Sequence, residues 1–381
     1  MKKILIVSPG FSYGGSTTAL ISILNSSLTQ EYQIDVFSIV KGDNTSPVLA
    51  QHNIDLNKWT NAFYANYSEL PIHEKLRAVV LKILRQIPGV KKQIQEWVVR
   101  KTIKRLEKNN YDYVVAFQEK LATEFCQFFS YENKIAWLHC DFAKTYPRTD
   151  ADLDVYNKYA KIVCVSNATR TSFLTYFPQL TERTTVIYNL FDSSSILQKS
   201  KDTIYDEKFD RESISIISVG RLNRVKRFDL IPHIARQVRE IISNVKWYII
   251  GQPYSDEEVK KLEMAIDKEG VRDTVVYLGG SSNPYPYFKA ASLLVCVSAS
   301  EACPMIFNEA KLLGLPIVST DFASAYEFIE QGVDGMVTPL DGIANAVIEL
   351  LQQESKHGNS EMFDGDAHNK AILDQLEQLF S

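Results

Sequence analysis

The chain has 381 residues, too many for one ordinary hydrophobic core, so two domains are expected. Its 45% apolar and 23% charged content is that of a soluble globular protein, and a net charge of -4 excludes a general pull toward nucleic acid or anionic lipid. Five scattered cysteines with no Cys-x-x-Cys pair exclude a disulfide framework and a cysteine zinc site. They read as buried free thiols of a reducing compartment. No apolar run approaches the roughly 18 residues of a spanning helix. The opening run, residues 4–7, is too short for a signal peptide, so a cytoplasmic location is expected.

In chain order, residues 3–7 read as a buried parallel strand. A loop, Gly10-Phe-Ser-Tyr-Gly14-Gly15-Ser16, and an apolar-periodic helix from Thr17 follow. Such a loop can cradle a phosphate or let a ligand approach the backbone. It lacks both the G-x-G-x-x-G pattern and the lysine of a P-loop, and a tight turn explains it equally well. Residues 34–40 form a second strand. From 75 to 108 the pattern turns helical and basic. Lys75, Arg77, Lys82, Arg85, Lys91, Lys92, Arg100, Lys101, Lys104, Arg105 and Lys108 stand against Glu96 and Glu107 only. Pro88-Gly89 splits the stretch into two amphipathic helices. They fit either an anionic membrane surface or a core flank with solvated basic faces.

Residues 113–117 and 134–138 are further strands, the second running into His139-Cys140-Asp141. A lone histidine there is more often structural than catalytic, and Asp141 suits a cap or an orienting partner. Residues 161–165, then Ser166 as helix cap, and 185–189 continue the alternation. The polar stretch 193–212 reads as a linker. Residues 214–219 open a second domain and lead into Gly220-Arg221, with Lys226 and Arg227 before the next helix. Two cations at that spacing after a strand suit a diphosphate. Residues 247–250, 275–278, 293–297 and 316–319 are its other strands, and Gly332 to Gly335 form a turn. Residues 358–365 are a polar turn region, and 368–380 form a terminal helix.

After the strand at 293–297 comes Ser298-x-x-Glu301-x-x-Pro304-x-x-x-x-Glu309-Ala-x-x-x-Gly314-x-Pro316. Pro304 suits the first turn of a helix and Gly314 the residue just past its end. The amides of Met305, Ile306 and Phe307 are then first-turn donors without intrahelical partners. Glu301 and Glu309 flank that positive pole, and carboxylates there suit sugar and ribose hydroxyls better than phosphate. A helix-start acid with a solvated helix acid fits the spacing too. The D-x-D spacings at Asp150 to Asp154 and at Asp364 and Asp366 read as solvated loop or helix-start acids, and no metal is expected there.

That motif resembles the signature of the retaining family-four glycosyltransferases, and the resemblance runs over nearly the whole chain. It implies an α/β GT-B fold, two Rossmann-like domains whose parallel sheets face across a cleft. The expected divisions are an acceptor-side domain 1–192, a linker 193–212, a nucleotide-sugar-binding domain 213–365, and a terminal helix 366–381 crossing back to the first domain. By the same resemblance, Gly14 and Gly15 meet the donor β-phosphate and His139 touches the donor sugar. Arg221 and Lys226 clamp the pyrophosphate, Glu309 holds the ribose, and Glu301 acts beside the anomeric carbon. Arg227 stands where the family usually has glycine. Ala323-Ser324 stands where it has paired glycines, which puts backbone contacts there in doubt.

The implied reaction is retaining, metal-independent transfer of a sugar from a nucleotide diphosphate, UDP-sugar by default and GDP-mannose next. No cofactor is expected. The expected acceptor is a glycan or lipid-linked hydroxyl in cell-surface polysaccharide synthesis, reached at the inner membrane face through the basic helices, with no nucleic-acid partner. The rival readings are a catalytically silent GT-B partner subunit, a transferase acting on a protein or teichoic-acid acceptor, a Rossmann oxidoreductase, and a phosphorylase or epimerase.

Overall fold

The computed structural model describes residues 1–381 except 13, 43–45, 66–69, 71, 85, 88 and 354–362, and the side chain of residue 73. The chain forms two units. One is Met1–Leu190 with Ile372–Ser381, and the other is Phe191–Ala371.

The first unit holds a six-stranded parallel sheet of β1 (Lys2–Gly10), β2 (Tyr32–Val40), β3 (Tyr113–Phe117), β4 (Lys134–Leu138), β5 (Lys161–Cys164) and β6 (Thr184–Val186). The order is β2-β1-β3-β4-β5-β6. Its middle strands are continuous apolar runs because both faces are covered, and Leu5, Val7, Val114, Ala116, Ala136 and Leu138 are fully buried. Strand order reverses between β1 and β3. Open sheets take ligands at the carboxyl ends beside such a reversal.

The second unit repeats the design with β7 (Ile214–Val219), β8 (Val245–Ile250), β9 (Val275–Gly279), β10 (Leu293–Cys296), β11 (Ile317–Thr320) and β12 (Gly335–Thr338). The order β12-β11-β10-β7-β8-β9 is the doubly wound order of a dinucleotide-binding sheet. Its reversal lies between β7 and β10, paired by Leu293 with Ile216 and Leu294 with Ile217. The expected pair of α/β domains with parallel sheets is therefore present. Strand β12 was hidden in sequence because only Met336 and Val337 follow the turn at Gly332 to Gly335. Its identity as a strand comes from pairing with β11.

The stretch expected as a linker, 193–212, contains the helix Ser193–Lys199. Ile196 packs with Phe191, Met305 and Leu312, and Phe209 packs on Tyr248 and Tyr287, so these apolar residues tie the stretch into the second unit. The terminal helix is Gly365–Leu379. Its end joins the first unit, where Phe380 lies 5.7 Å from the Tyr32 ring and 5.4 Å from Tyr113. Of the polar turn region at 358–365, residues 358–362 lie outside the described residues.

The basic stretch forms the helices Ile72–Leu84 and Val90–Leu106. Arg85 and Pro88 lie outside the described residues. Gly89 takes φ 78°, a left-handed conformation open to glycine at little cost. The two helices differ in what they bury. The second packs Val98, Val99, Ile103 and Leu106 inward. The first buries Ala78 and Leu81 but leaves Ile72 88%, Leu76 74%, Val80 48% and Ile83 59% exposed.

Candidate functional site

In the second unit the site residues come from the two loops at the β7/β10 reversal. Strand β7 runs into Gly220, whose backbone lies close to two neighbours. A Cβ at Gly251 would lie 1.7 Å from the Gly220 carbonyl oxygen, and one at Gly220 would lie 2.9 Å from Lys226 Cε. Glycine at both positions lets the Lys226 chain fold back over the strand end. Asn223 Oδ1 accepts from the amides of Val225 and Lys226, both at 3.0 Å, which makes the loop a tight turn.

Lys226 Nζ then donates to Glu301 Oε1 at 2.6 Å, with both side chains 17% exposed. Burial alone would lower the lysine pKa, but the Glu301 carboxylate, with Cys296 and Glu309, raises it above the ordinary value. Lys226 therefore stays charged. The sequence placed a cation and a carboxylate here without showing that they bind each other. Arg221 is half-buried, and its guanidinium has no ion-pair or hydrogen-bond partner among the described residues. It is the uncommitted cation of the two.

The helix after β10 is Met305–Leu312, with Pro304 at its N-cap rather than inside its first turn. One expectation is corrected. The Phe307 amide donates to the Pro304 carbonyl at 3.0 Å, because the cap carbonyl already points along the helix. The amides of Met305 and Ile306 have no backbone partner among the described residues. The helix end matches expectation. Gly314 has φ 71°, its N–H donates to Lys311 O at 3.0 Å, and Leu315 N–H donates to Ala310 O at 2.9 Å.

Glu309 is not a solvated helix acid: it is 7% exposed. Burial raises its pKa to about 7, against the opposing pull of Lys226 and a hydrogen bond with the Tyr285 hydroxyl. Tyr285 opens the helix Tyr285–Ala290 and was not foreseen. No local pattern marks a tyrosine whose partner is a carboxylate on another helix. Asn308, beside Glu309, is 1% exposed, and neither amide atom has a partner among the described residues. A cavity of about 430 Å³ in this unit is lined by Ser200, Arg211, Ser215 and Lys289, at the opposite end of β7, and takes in none of the expected residues.

In the first unit, Gly14 caps the helix Gly15–Leu24 after β1, and its carbonyl accepts from Thr18 N–H at 3.0 Å. A Cβ on Gly15 would meet nothing within 4 Å, so the glycine is not required by packing. Its backbone stays open to approach. His139 follows β4 with its ring 4.5 Å from Phe117 and stacked on Trp137 at 6.4 Å. Burial brings its pKa down to about 3, and Nε2 is buried without a partner among the described residues. The ring is therefore neutral near pH 7 and has a free hydrogen-bonding nitrogen.

Glu119 was missed by sequence reasoning. It follows β3, is 4% exposed, and accepts from His139 N–H at 2.9 Å. Burial raises its pKa, against bonds from His139 and Cys140. Its neighbour Lys120 has φ 58°, an uncommon value for a residue with a side chain. Asp141 caps the short helix Phe142–Thr145, as expected of a cap. The acids of the first D-x-D are not all solvated. Asp152 is 6% exposed and pairs with Lys120 at 2.5 Å. In the second, Asp364 caps the terminal helix through the amides of Asp366 and Ala367.

Residues 200–362 match the family described as Glycosyl transferases group 1. That match lies within the second unit, Phe191–Ala371. Among curated relatives, the chain is 28% identical over 170 residues to an uncharacterized glycosyltransferase of Methanocaldococcus jannaschii, covering 44% of this chain and 41% of that one. It is 21% identical over 207 residues to the lipopolysaccharide 1,2-N-acetylglucosaminetransferase of Salmonella typhimurium, covering 51% and 54%. The chain thus spans about half the length of the curated relatives it matches. Among solved structures, Anabaena HepE in complex with UDP and glucose matches with a TM-score of 0.71 and 19% identity over 99% of this chain and 100% of that one. That likeness shows the fold of this chain to be GT-B, the fold implied by the Glu301 to Glu309 motif.

Proposed function

We propose that the protein is a retaining glycosyltransferase that moves a sugar from a nucleotide diphosphate, UDP-sugar first, to a hydroxyl of a surface-polysaccharide acceptor. The observation that carries this reading is the β7/β10 reversal of the second unit. There, among the described residues, Arg221 is uncommitted, Lys226 is held charged by Glu301, and the Met305 and Ile306 amides at the helix start have no backbone partner. In the reaction the bond from the anomeric carbon to the diphosphate breaks, and a bond to the acceptor oxygen forms on the same face. The acceptor proton leaves with the diphosphate. Negative charge grows on that leaving group, and Arg221, Lys226 and the helix-start amides stabilise it as preorganised donors. Glu301 holds donor-sugar hydroxyls and Glu309 those of the ribose. Gly14, Gly15 and the neutral ring of His139 are the proposed contributions of the first unit, with Phe307 lining the helix start.

Thermal shift against a panel of nucleotide sugars tests the reading. A bound donor at about 100 times its dissociation constant adds about 2.7 kcal/mol of stability. A matching donor should raise Tm and be turned over to free nucleotide when acceptor is added. A panel in which UDP-, GDP-, ADP- and dTDP-sugars all leave Tm unchanged would reject it. Binding without turnover would favour the catalytically silent subunit.

The acceptor side is proposed to lie at an anionic membrane surface. The exposed Ile72, Leu76, Val80 and Ile83 fall at helical spacing along Ile72–Leu84, with Lys75 and Lys82 on the same helix. No helix among the described residues is long and apolar enough to cross a membrane. Leu76→Asp with Ile83→Asp should abolish sedimentation with phosphatidylglycerol vesicles while donor binding persists. Equal sedimentation of variant and parent would refute the contact.

A further inference from the structure

We propose that Arg227 and Ser324 are positioning residues that lock the Glu301 loop, 297–301, against the Lys226 turn, and so set how the sugar half of the donor is received. This rests on the donor reading above. Arg227 holds φ 51° and ψ 37°, a left-handed conformation that a residue with a side chain adopts at a cost. Its side chain offsets that cost in one place. Nε donates to the Val297 carbonyl at 2.8 Å and Nη2 to the Ser298 carbonyl at 2.9 Å. The Arg227 charge is thus spent on backbone of the Glu301 loop.

Ser324, fully buried, donates its hydroxyl to the Glu301 carbonyl at 2.8 Å. Thr320 donates to the Ser298 carbonyl at 2.6 Å, and Ala299 N–H reaches back to the Val225 carbonyl at 2.8 Å. The carbonyls of 297, 298 and 301 are therefore all held, from two separate loops. With the backbone fixed on both sides of Glu301, its carboxylate has one place from which to meet Lys226. Glycine at 227 would relax the backbone and release two of these bonds. Alanine at 324 would release the third by removing only the hydroxyl.

The lock is tested with Arg227→Gly and Ser324→Ala, reading Tm, binding of UDP and of whichever nucleotide sugar shifts the parent most, and kcat and KM for transfer. UDP lacks the sugar, so its affinity should stay within about twofold of the parent, while kcat should fall about tenfold in each variant through misplacement of Glu301. A purely structural role would lower Tm and weaken UDP and donor alike, and that result would overturn the proposal, as would parental kcat in both variants. Amide exchange across 299–303 reads the lock without any donor. It should be faster in both variants, and unchanged protection would overturn the lock even if the parent bound no nucleotide sugar, a result that by itself would reject only the donor reading.

Discussion

Lys226→Ala is expected to lower kcat/KM at least about a hundredfold with the fold intact, because it removes charge-assisted bonds that contribute about 1.5–3 kcal/mol each. Loss of phosphate attraction is only part of the effect. Lys226 is the sole ion-pair partner of Glu301 among the described residues, at 2.6 Å and 17% exposure on each side. Without it, the carboxylate stands unneutralised where a diphosphate must sit and repels it. The two contributions separate in a cycle. Lys226→Ala combined with Glu301→Gln should bind UDP better than Lys226→Ala alone, since the added change removes the repulsion. Calorimetry of UDP binding to the parent, the two single variants and the double variant reads this directly. Tighter UDP binding to the single than to the double variant would show that the pair does not govern anion binding.

Glu309→Gln is expected to change both stability and its pH dependence. Burial raises the folded pKa to about 7, against an unfolded value near 4.3. A carboxyl raised in this way contributes stability that is fully present below the unfolded value and is lost as pH rises through about 7. Between pH 5 and 8 the ligand-free parent should therefore lose about 2–3 kcal/mol relative to Glu309→Gln, whose amide does not titrate. Donor affinity should move the other way. An ionised Glu309 accepts ribose hydroxyls more strongly, so donor binding should tighten as pH rises through 7 in the parent and stay flat and weaker in the variant. Melting curves at fixed salt from pH 5 to 8, with and without nucleotide, measure both. Parallel pH profiles for the two proteins would show that Glu309 is already ionised at pH 5.

Glu301 and Glu309 show where reading the chain reached its limit. Their spacing and their placement at and after a strand end were legible, because Pro304 and Gly314 punctuate the helix that carries Glu309. The polarity of Glu309 suggested a solvated position, yet the fold buries it and gives it Tyr285. Likewise Arg227 was a departure from a glycine with no assigned task, and Ser324 a departure that cast doubt on local backbone contacts. Both turn their side chains onto the Glu301 loop, a relation between segments 70 and 23 residues apart. The basic stretch 75–108 was legible as two helices, but only packing shows that the second buries its apolar stripe and the first does not.

The order of residues alone settled the alternation of strands and helices, the two-sheet α/β class and the positions of the loops that carry chemistry. These follow from short-range causes: runs of apolar residues long enough for a buried strand, caps, and residues that cannot continue a helix. Tertiary structure alone decided which strands lie beside the reversal of each sheet, that Lys226 meets Glu301, that Arg221 has no partner among the described residues, and that Glu119 and Glu309 lie out of water. Partner choice and burial depend on which distant segments the sheet order brings together, and a charged side chain carries no local mark of either.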